Sequence, residues 1–340
     1  MVIVSFVLED FFAAIGQHTA IKDVPLPDLL DSNTLAALPY WSFLQVAGPD
    51  AGKFLQGQLT CDIAGASETH ATPGAHCTPK GRMQSSFWIA RRDAETYWLR
   101  VQAEIVAGAT AALAKYIVFS KAKISAQQLL GVGLNGPDAA AMIRAFAGKL
   151  PEAMNGVVLT AGGLVVQLDE LGQRFEAWLP EHEAIALGQS CKNFEPVSPD
   201  FWRWLDIRAG LASVSAGTVE AFIPQMLNYE QIGGVSFTKG CYTGQEIVAR
   251  TQYRGQVKRH LLRAEVAAPA PAAGSDIVGV EGRAVGQVVD AVDRGDGLSE
   301  MLIVASGDES TRPRLYLSAS EPASLKEAES SQGRFELRVL

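Results

Sequence analysis

The stretch LQVAGPDAGKFL, residues 44–55, has the same pattern as VGLNGPDAAAMI at residues 132–143. In both, an apolar run typical of a strand leads into Gly-Pro-Asp-Ala, after which apolar residues recur at helical spacing. Glycine ends the strand, and proline is tolerated in the first helical turn because its missing N–H would have no partner there. The repeat therefore predicts two related α/β units, each beginning with a strand and a helix.

The same order of patterns follows each copy of the repeat. Two strand-like runs predict an antiparallel hairpin, and an amphipathic stripe after the hairpin predicts a second helix. Strand, helix, hairpin, helix and strand form the ferredoxin-like split βαβ arrangement. The runs are SSFWIARR and TYWLRVQ with a helix from Ile105 to Tyr116 in the first unit, and GLVVQLDE, RFEAWLP and EHEAIALGQ in the second.

The C-terminal part of the chain has a different character. AEVAAPAPAAGSDI, residues 264–277, is rich in Ala and Pro and is predicted to be a linker or an extended edge segment. Short β-prone segments then alternate with Gly, Asp and Ser turns. This alternation predicts a small antiparallel barrel or sandwich.

Composition narrows the class of protein. The chain has 340 residues, with 37 acidic and 29 basic side chains, and its formal charge of -8 argues against sequence-independent binding of nucleic acid or of an anionic membrane. MVIVSFVL, residues 1–8, lacks a basic start and is followed at once by two acidic residues, so we expect no signal peptide. Because no uncharged run approaches the roughly 18 residues of a membrane span, we expect a cytoplasmic protein.

Cysteine spacing argues against a metal centre. The four cysteines, Cys61, Cys77, Cys191 and Cys241, are scattered, without CxxC or Cys/His spacing. Such spacing would be needed for a zinc site or a ferredoxin-type cluster, and a disulfide framework is not indicated either. We expect reduced thiols and no metal site.

Cys241 belongs to the stretch KGCYTGQEIVAR, residues 239–250. Thr243 followed three residues later by Glu246 is a capping box, which predicts a helix that starts at Gly244. Cys241 would then lie just before a helix N-terminus, near unpaired amides and the positive end of the helix dipole. Those amides and the cation of Lys239 favour the thiolate form of Cys241.

The same residues allow a second interpretation of Cys241. Free cysteine is commonly buried and inert, so Cys241 could fill a gap in a loop shaped by Gly240 and Gly244. Spacing alone leaves the reactive and the packing interpretations open.

A longer stretch carries a resemblance. FIPQMLNYEQIGGVSFTKGCYTGQEIVARTQYRG, residues 222–255, closely resembles the signature region of the YgfZ family of folate-binding proteins, which are relatives of the glycine-cleavage T-protein, an aminomethyltransferase. The match includes FLQVAGPDAGKFLQGQLTCDI and TPKGRM, and it extends from about residue 36 to 260, more loosely to the end.

The resemblance implies an α+β fold: a T-protein-like ring of three domains, with two ferredoxin-like α/β units and a C-terminal antiparallel β-barrel. We place a discontinuous α/β domain at residues 1–42 and 129–252, which carries the KGCYTGQE motif. The second α/β domain is placed at residues 43–128 and the barrel at residues 253–340.

The resemblance also implies a function. Tetrahydrofolate, or a substituted folate, would bind in the central channel, and the protein would help to make or repair iron–sulfur clusters of client enzymes, including tRNA-methylthiolating enzymes. Its partners would be iron–sulfur client or assembly proteins, with no direct contact to nucleic acid or a membrane. The residues on the family signature are Lys239, Gly240, Cys241, Tyr242, Gly244, Gln245 and Glu246, with Cys241 on the functional cysteine.

Folate contacts are expected at a second set of residues. A flat pterin needs apolar walls and a few aimed polar groups, and its glutamyl tail needs a cation. Candidates for the tail are Arg250, Arg254 and Lys258, while Arg208 and Gln225 are the other expected contacts.

Two departures from the T-protein pattern argue against aminomethyl transfer. Ser85 and Ser86 stand where that enzyme has paired aspartates, and a neutral hydroxyl does not replace a carboxylate that holds a proton. Arg208 stands where that enzyme has a pterin-reading glutamate, and a guanidinium accepts no hydrogen bond.

Two other functions stay open from the sequence. One is a folate-dependent one-carbon transferase in which Cys241 or a nearby carboxylate such as Asp62 assists the transfer. The other is a non-catalytic folate-binding interaction module in which the cysteine only packs.

Overall fold

The computed structural model describes residues 8–15, 24–307, 314–318 and 334–340. The first seven residues of the stretch used to predict the absence of a signal peptide lie outside these ranges. A short helix, α1 (Leu8–Ala14), and a strand, β1 (Thr34–Ala37), precede the first copy of the repeat. Within the described ranges, no helix combines the length and the apolar character needed to cross a bilayer.

The first repeat unit forms a five-stranded sheet in the order β3-β4-β5-β2-β6. Apart from β3, this is the strand order of a ferredoxin-like sheet, so the predicted hairpin and helices are confirmed. Its elements are β2 (Trp41–Ala47), α2 (Ala51–Gln58), β3 (Thr72–Cys77), β4 (Met83–Asp93), β5 (Thr96–Gln102), α3 (Val106–Ile117) and β6 (Lys123–Gln127).

The second repeat unit forms a six-stranded sheet in the order β11-β1-β7-β10-β9-β8. Strand β1 lies between β7 and β11, antiparallel to β7 and parallel to β11. The repeat did not predict this insertion, because β1 precedes both copies in the chain. The elements of the unit are β7 (Leu130–Asn135), α4 (Ala139–Ala147), β8 (Val157–Leu159), β9 (Leu164–Gln167), β10 (Arg174–Leu179), α5 (Glu181–Ser190) and β11 (Glu195–Val197).

The glycines of the two repeats make the same close contact. Gly48 and Gly136 have φ values of 133° and 124°. A Cβ atom would lie 2.3 Å from the carbonyl oxygen of Lys121 at Gly48, and 2.6 Å from that of Ser32 at Gly136. Lys121 precedes β6 and Ser32 precedes β1. In the second unit, β1 therefore takes the place beside the first repeat strand that β6 takes in the first unit.

The prediction that the prolines of the repeat lie in the first helical turn is wrong. Helices α2 and α4 begin after the N-cap residues Asp50 and Asp138, so Pro49 and Pro137 lie before the cap and outside the first helical turn. The carboxylates of both aspartates accept hydrogen bonds from other segments of the chain. The carboxylate of Asp50 accepts from the backbone N–H of Lys121 at 2.7 Å, which links the helix start to the neighbouring strand.

The C-terminal part forms the predicted antiparallel barrel, closed in the order β12-β15-β14-β13-β16-β17. The segment predicted as a linker starts within β12, and only residues 267–275 connect β12 to β13. Two helices, α6 (Pro199–Arg208) and α7 (Gln245–Arg254), precede the barrel. Its strands are β12 (Arg259–Val266), β13 (Asp276–Val278), β14 (Ala284–Asp293), β15 (Ser299–Ser306), β16 (Leu315–Ser318) and β17 (Arg334–Val339).

Candidate functional site

The loop that carries Cys241 is fixed to the segment after α2 by a buried lysine. The ammonium of Lys239 donates to the carbonyl oxygens of Leu59 at 2.7 Å and Cys61 at 2.6 Å. It also lies 5.1 Å from the centre of the Tyr242 ring. Burial lowers the pKa of Lys239 to about 8. Lys239 therefore holds the loop in place, a role that the sequence analysis did not predict; its effect on the Cys241 thiol stays a prediction.

A second contact joins this loop to the turn after β3. Gly244 has a φ of 85°, and a Cβ atom there would lie 2.5 Å from the carbonyl oxygen of Thr78 and 3.1 Å from the Cβ of Cys77. Two stretches that resemble the same family, TPKGRM and KGCYTGQE, are therefore packed against each other at backbone distance. Only glycine combines this backbone conformation with so close an approach.

The predicted capping box is wrong. Helix α7 begins at Gln245, its N-cap is Gly244, and no side chain bonds to the cap. The Thr243 hydroxyl instead lies 3.4 Å from the side-chain oxygen of Gln58 on α2. The predicted box failed because the close packing at Gly244 sets the cap. Cys241 lies three residues before it.

Cys241 differs from the other three cysteines in its exposure. All four lie within the described residues and are reduced thiols. Burial raises the pKa of Cys61, Cys77 and Cys191 to about 12, whereas Cys241 is exposed. Cys241 is therefore not buried, as the interpretation of a cysteine that fills a gap in this loop would require.

The other signature residues near Cys241 differ in how far they are buried. A Cβ atom at Gly240 would have no atom within 4 Å, so the chain next to Cys241 borders open space. Tyr242 is buried, and its hydroxyl has no partner among the described residues. Gln245 is half-buried in the first turn of α7 and Glu246 is exposed there.

The expected folate contacts do not all meet at this loop. The side-chain nitrogen of Gln225 donates to the carbonyl oxygen of Val248 at 2.6 Å, so this buried side chain anchors α7. Arg208 is exposed on α6, with its guanidinium 4.8 Å from the ring centre of Trp204. Arg250 and Lys258 are exposed, and the side chain of Arg254 lies outside the described part of the chain.

The two serines of the GRMQSSF stretch point to opposite faces of the first sheet. The hydroxyl of Ser86 accepts from the backbone N–H of Val214 at 2.8 Å. Ser85 is fully buried beside its cross-strand neighbour His76, and its hydroxyl has no partner among the described residues. Only Ser86 faces the segment that leads to the signature loop. Strand alternation therefore puts one of the two serines, not both, on that side.

A buried charged cluster between the two sheets was not predicted. Arg100 on β5 donates to Glu176 on β10 at 2.5 Å, and Arg174 donates to Asp206 on α6 at 2.7 Å. Trp178 donates to the second carboxylate oxygen of Glu176 at 2.7 Å. Burial raises the pKa of Asp206, and the two arginines oppose that rise. The signal was available in the strand patterns TYWLRVQ and RFEAWLP, where charged residues interrupt apolar runs.

Aromatic side chains with unpaired polar atoms line this cluster. The guanidinium of Arg100 lies 3.9 Å from the ring centre of Trp41, and that of Arg174 lies 4.5 Å from the ring centre of Trp202. The indole N–H groups of Trp41 and Trp202 and the hydroxyl of Tyr40 are buried without a partner in the described structure. We call the following set the central cluster: Tyr40, Trp41, Arg100, Arg174, Glu176, Trp202 and Asp206.

Tyr229 connects the central cluster with the signature loop. Burial raises the pKa of Tyr229 to about 12, while a hydrogen bond with Ser86 and the charge of Arg100 oppose the rise. Tyr229 and Tyr242 both lie near Cys77, the last residue of β3. The central cluster and the signature loop therefore adjoin each other at this residue. Among the described residues, no group of His, Cys, Asp and Glu side chains could hold a metal ion.

Comparison with known proteins finds relatives in sequence and a similar fold. The tRNA-modifying protein YgfZ of Klebsiella pneumoniae (strain 342) is 34% identical over 281 residues, which cover 81% of this chain and 86% of the relative. The tRNA-modifying protein YgfZ of Shigella boydii serotype 4 (strain Sb227) is 34% identical over 300 residues, covering 86% and 89%. No family model matches the chain.

The solved structure of the glycine cleavage system aminomethyltransferase T from Bartonella henselae is similar over 92% of this chain and 86% of that chain, with a TM-score of 0.71. At 16% identity this likeness concerns the fold alone. It confirms the predicted T-protein-like fold.

Proposed function

The chain belongs to the YgfZ family, and on that premise we propose that it is a folate-binding accessory protein for the synthesis or repair of iron–sulfur clusters in client enzymes. Cys241 is its functional thiol, and its clients include tRNA-methylthiolating enzymes of the cytoplasm. The observation that carries this proposal is that Cys241 is exposed in a loop that Lys239 and Gly244 hold in place. Such a thiol is accessible to a partner and fixed in position.

The chemistry of a thiol suits this role. A cysteine sulfur is a soft ligand for iron and a nucleophile in its thiolate form. One exposed cysteine supplies at most one protein ligand to a cluster, so stable holding of a cluster by this chain alone is not part of the proposal. Cys241 acts together with a partner that supplies the remaining ligands.

The central cluster supports folate binding. The buried donors of Trp41, Trp202 and Tyr40 have no partner among the described residues, and a pterin carries nitrogen and oxygen acceptors for such donors. Buried polar atoms of this kind are costly unless a ligand or water bonds to them. Arg174 and Arg100 lie over the two indole rings, and each is paired with a carboxylate. When bound, tetrahydrofolate supplies nitrogens that carry one-carbon units, whereas the proposal requires only its binding.

The same residues favour an accessory role over aminomethyl transfer. Ser86 carries a hydroxyl on the side that faces Tyr229, where a carboxylate would be needed to hold a proton. Arg208 is directed at Trp204, whose indole N–H donates to Glu300 of the barrel at 2.8 Å. Neither side chain is suited to the part that the corresponding carboxylate plays in the T-protein.

Cys241→Ser tests the role of the thiol. In a strain that lacks the gene, we expect this variant to fail to restore iron–sulfur enzyme activities under oxidative stress, because a serine hydroxyl is neither a soft ligand nor a thiolate. Cys191→Ser, the same change in a buried cysteine outside the motif, is the matched control. Circular dichroism should show native folding for both variants. Full restoration by Cys241→Ser would remove the chemical centre of the proposal.

A pair of tryptophan variants tests the folate site. We expect calorimetry to detect tetrahydrofolate binding to the wild type and weaker binding to Trp202→Phe, which keeps an aromatic ring but removes an unpaired N–H. Trp204→Phe removes an N–H that Glu300 already accepts, so its folate affinity should match that of the wild type. No heat and no change in melting temperature with the wild type would refute folate binding.

A further inference from the structure

Three large apolar side chains are exposed where α3 ends. Tyr116 is 44% exposed, Val118 is 73% exposed and Phe119 is 98% exposed. Single exposed apolar residues are ordinary, but neighbouring ones that form a patch mark an interaction surface. None of the roles described above uses these residues.

The patch borders a groove between α2 and the end of α3, with a volume of about 230 Å³. At Gly57, in the last turn of α2, a Cβ atom would have no other atom within 4 Å. The wall is therefore free to receive a side chain from outside. We call this feature the α3 groove; its lining includes Lys53, Phe54, Gly57, Gln58, Tyr116 and Phe119.

The charge around the α3 groove is opposite in sign to that of the whole chain. Lys53 lines the groove, and Lys115 and Lys121 flank its two aromatic residues; all three are exposed. The acidic side chain of the lining, Asp50, already accepts a backbone hydrogen bond. In a protein of formal charge -8, this local excess of lysine favours an acidic partner.

The α3 groove is continuous with the loop that carries Cys241. The side-chain oxygen of Gln58, which lines the groove, lies 3.4 Å from the hydroxyl of Thr243. Thr243 is two residues from Cys241 in the sequence. A molecule seated in the groove and extending past Gln58 would reach the signature loop.

We propose that the α3 groove is a docking site for an acidic protein segment with one aromatic or large aliphatic anchor residue, supplied by the partner that Cys241 serves. The anchor fills the space beside Phe119 and Gly57, and acidic residues on either side of it pair with the lysines. The concave shape fits an inserted side chain better than a flat membrane surface. Only the connection to Cys241 rests on the proposed function; the binding of the segment does not.

A defined peptide tests this proposal. The probe is a fluorescein-labelled synthetic peptide of Glu and Ser residues with one central Trp, and the control peptide has Lys in place of each Glu. By fluorescence anisotropy on the full chain, we expect the acidic peptide to bind about tenfold or more tightly than the basic one, and more weakly as salt is added. Removing the Trp should also weaken binding, since the anchor supplies most of the apolar contact.

Two pairs of variants locate the binding. Phe119→Asp, which removes the most exposed ring of the patch, and Gly57→Gln, which fills the groove, should each weaken binding about tenfold. Leu171→Asp is the matched control for an exposed apolar residue elsewhere, since Leu171 is 80% exposed. Gly108→Gln, at a helical glycine of α3 with no atom within 4 Å of a Cβ, is the control for Gly57. Both controls should bind like the wild type.

The outcomes separate this proposal from the function of the thiol. Cys241→Ser should bind the peptide normally, so a failure of the proposed function leaves docking testable. Equal binding of both peptides, or normal binding by Phe119→Asp, would overturn the proposal. It would also be overturned if Phe119 governs only binding to phosphatidylserine vesicles, or only self-association in sedimentation, since the occupant would then be a membrane or a second copy.

Discussion

Gly244 and Gly81 lie against each other: a Cβ atom on Gly244 would be 3.2 Å from the Cα atom of Gly81. Gly81 also has positive φ, at 72°, and a Cβ atom there would lie 3.0 Å from the Cβ of Ile247 on α7. Two chain segments that are far apart in sequence thus meet at backbone distance beside the exposed thiol. This contact fixes where α7 starts and where the loop before it runs.

We expect Gly244→Ala to destabilise the protein strongly. The φ of 85° costs an L-residue about 1–2 kcal/mol, and the new Cβ atom would lie 2.5 Å from the Thr78 carbonyl oxygen. Gly210→Ala is the matched control, because Gly210 has a φ of 68° but open space around it. Urea denaturation should show a larger loss for Gly244→Ala. Equal losses would mean that the close contact with Thr78 contributes nothing.

Thiol labelling should distinguish Cys241 from the other cysteines. In the native protein, iodoacetamide should modify Cys241 alone, because the other three thiols are buried and their pKa values are raised to about 12. In denaturant, all four should react, as counted by mass spectrometry. Native labelling of Cys61 or Cys77 at the same rate as Cys241 would contradict the exposures described above.

Lys239→Met should destabilise the protein. It keeps an apolar stem but leaves the carbonyls of Leu59 and Cys61 without their donor, which should cost about 1–3 kcal/mol in urea denaturation. Lys80→Met, at an exposed lysine of the neighbouring turn, should unfold like the wild type. Equal stability of Lys239→Met and the wild type would show that these two hydrogen bonds do not hold the loop in place.

His76 should make stability depend on pH. Burial lowers the pKa of His76 from 6.5 to about 4, and Lys115 adds to that effect. Between these values the unfolded chain binds more protons, so stability that is present above pH 6.5 is lost as the pH falls towards 4. From pH 7 to pH 5 we expect a loss of about 2 kcal/mol in unfolding free energy.

The control for this effect is a second histidine. His76→Leu should lose about 2 kcal/mol less than the wild type over this pH range, whereas His182→Leu, at an exposed site, should behave like the wild type. The same pH dependence in His76→Leu as in the wild type would assign the loss to other groups.

Ser86→Asp should not create aminomethyltransferase activity. The change restores a carboxylate on the side facing Tyr229, but Arg208 stays directed at Trp204 and accepts no hydrogen bond. Adding Ser85→Asp should only destabilise the protein, because that side chain is fully buried on the opposite face. Glycine-cleavage activity with the lipoyl carrier protein, in the wild type or either variant, would show that these positions have diverged less from the T-protein in function than we infer.

Local patterns predicted much of the fold. The repeated Gly-Pro-Asp-Ala turns, the hairpins, the amphipathic helices and the C-terminal strands depend on side-chain periodicity and turn chemistry within a few residues. The resemblance of residues 222–255 to a family signature, which is also local in the sequence, identified Cys241 as the candidate functional cysteine. The exposure that supports a chemical role for this residue came from the structure.

Contacts between distant segments decided the rest. The contacts that were not predicted join residues that are 76 to about 180 positions apart or belong to different repeat units. They are the pairing of β1 with β7, the ion pair of Arg100 with Glu176, and the hydrogen bond from Lys239 to Leu59. A single sequence shows that such residues are charged or β-prone, but not which partner each will meet. The prediction of where α7 starts failed for the same reason. Thr243 and Glu246 satisfied the local rule for a cap, but the backbone contact between Gly244 and the turn after β3 set the conformation, because a local preference of about 1 kcal/mol yields to tertiary packing.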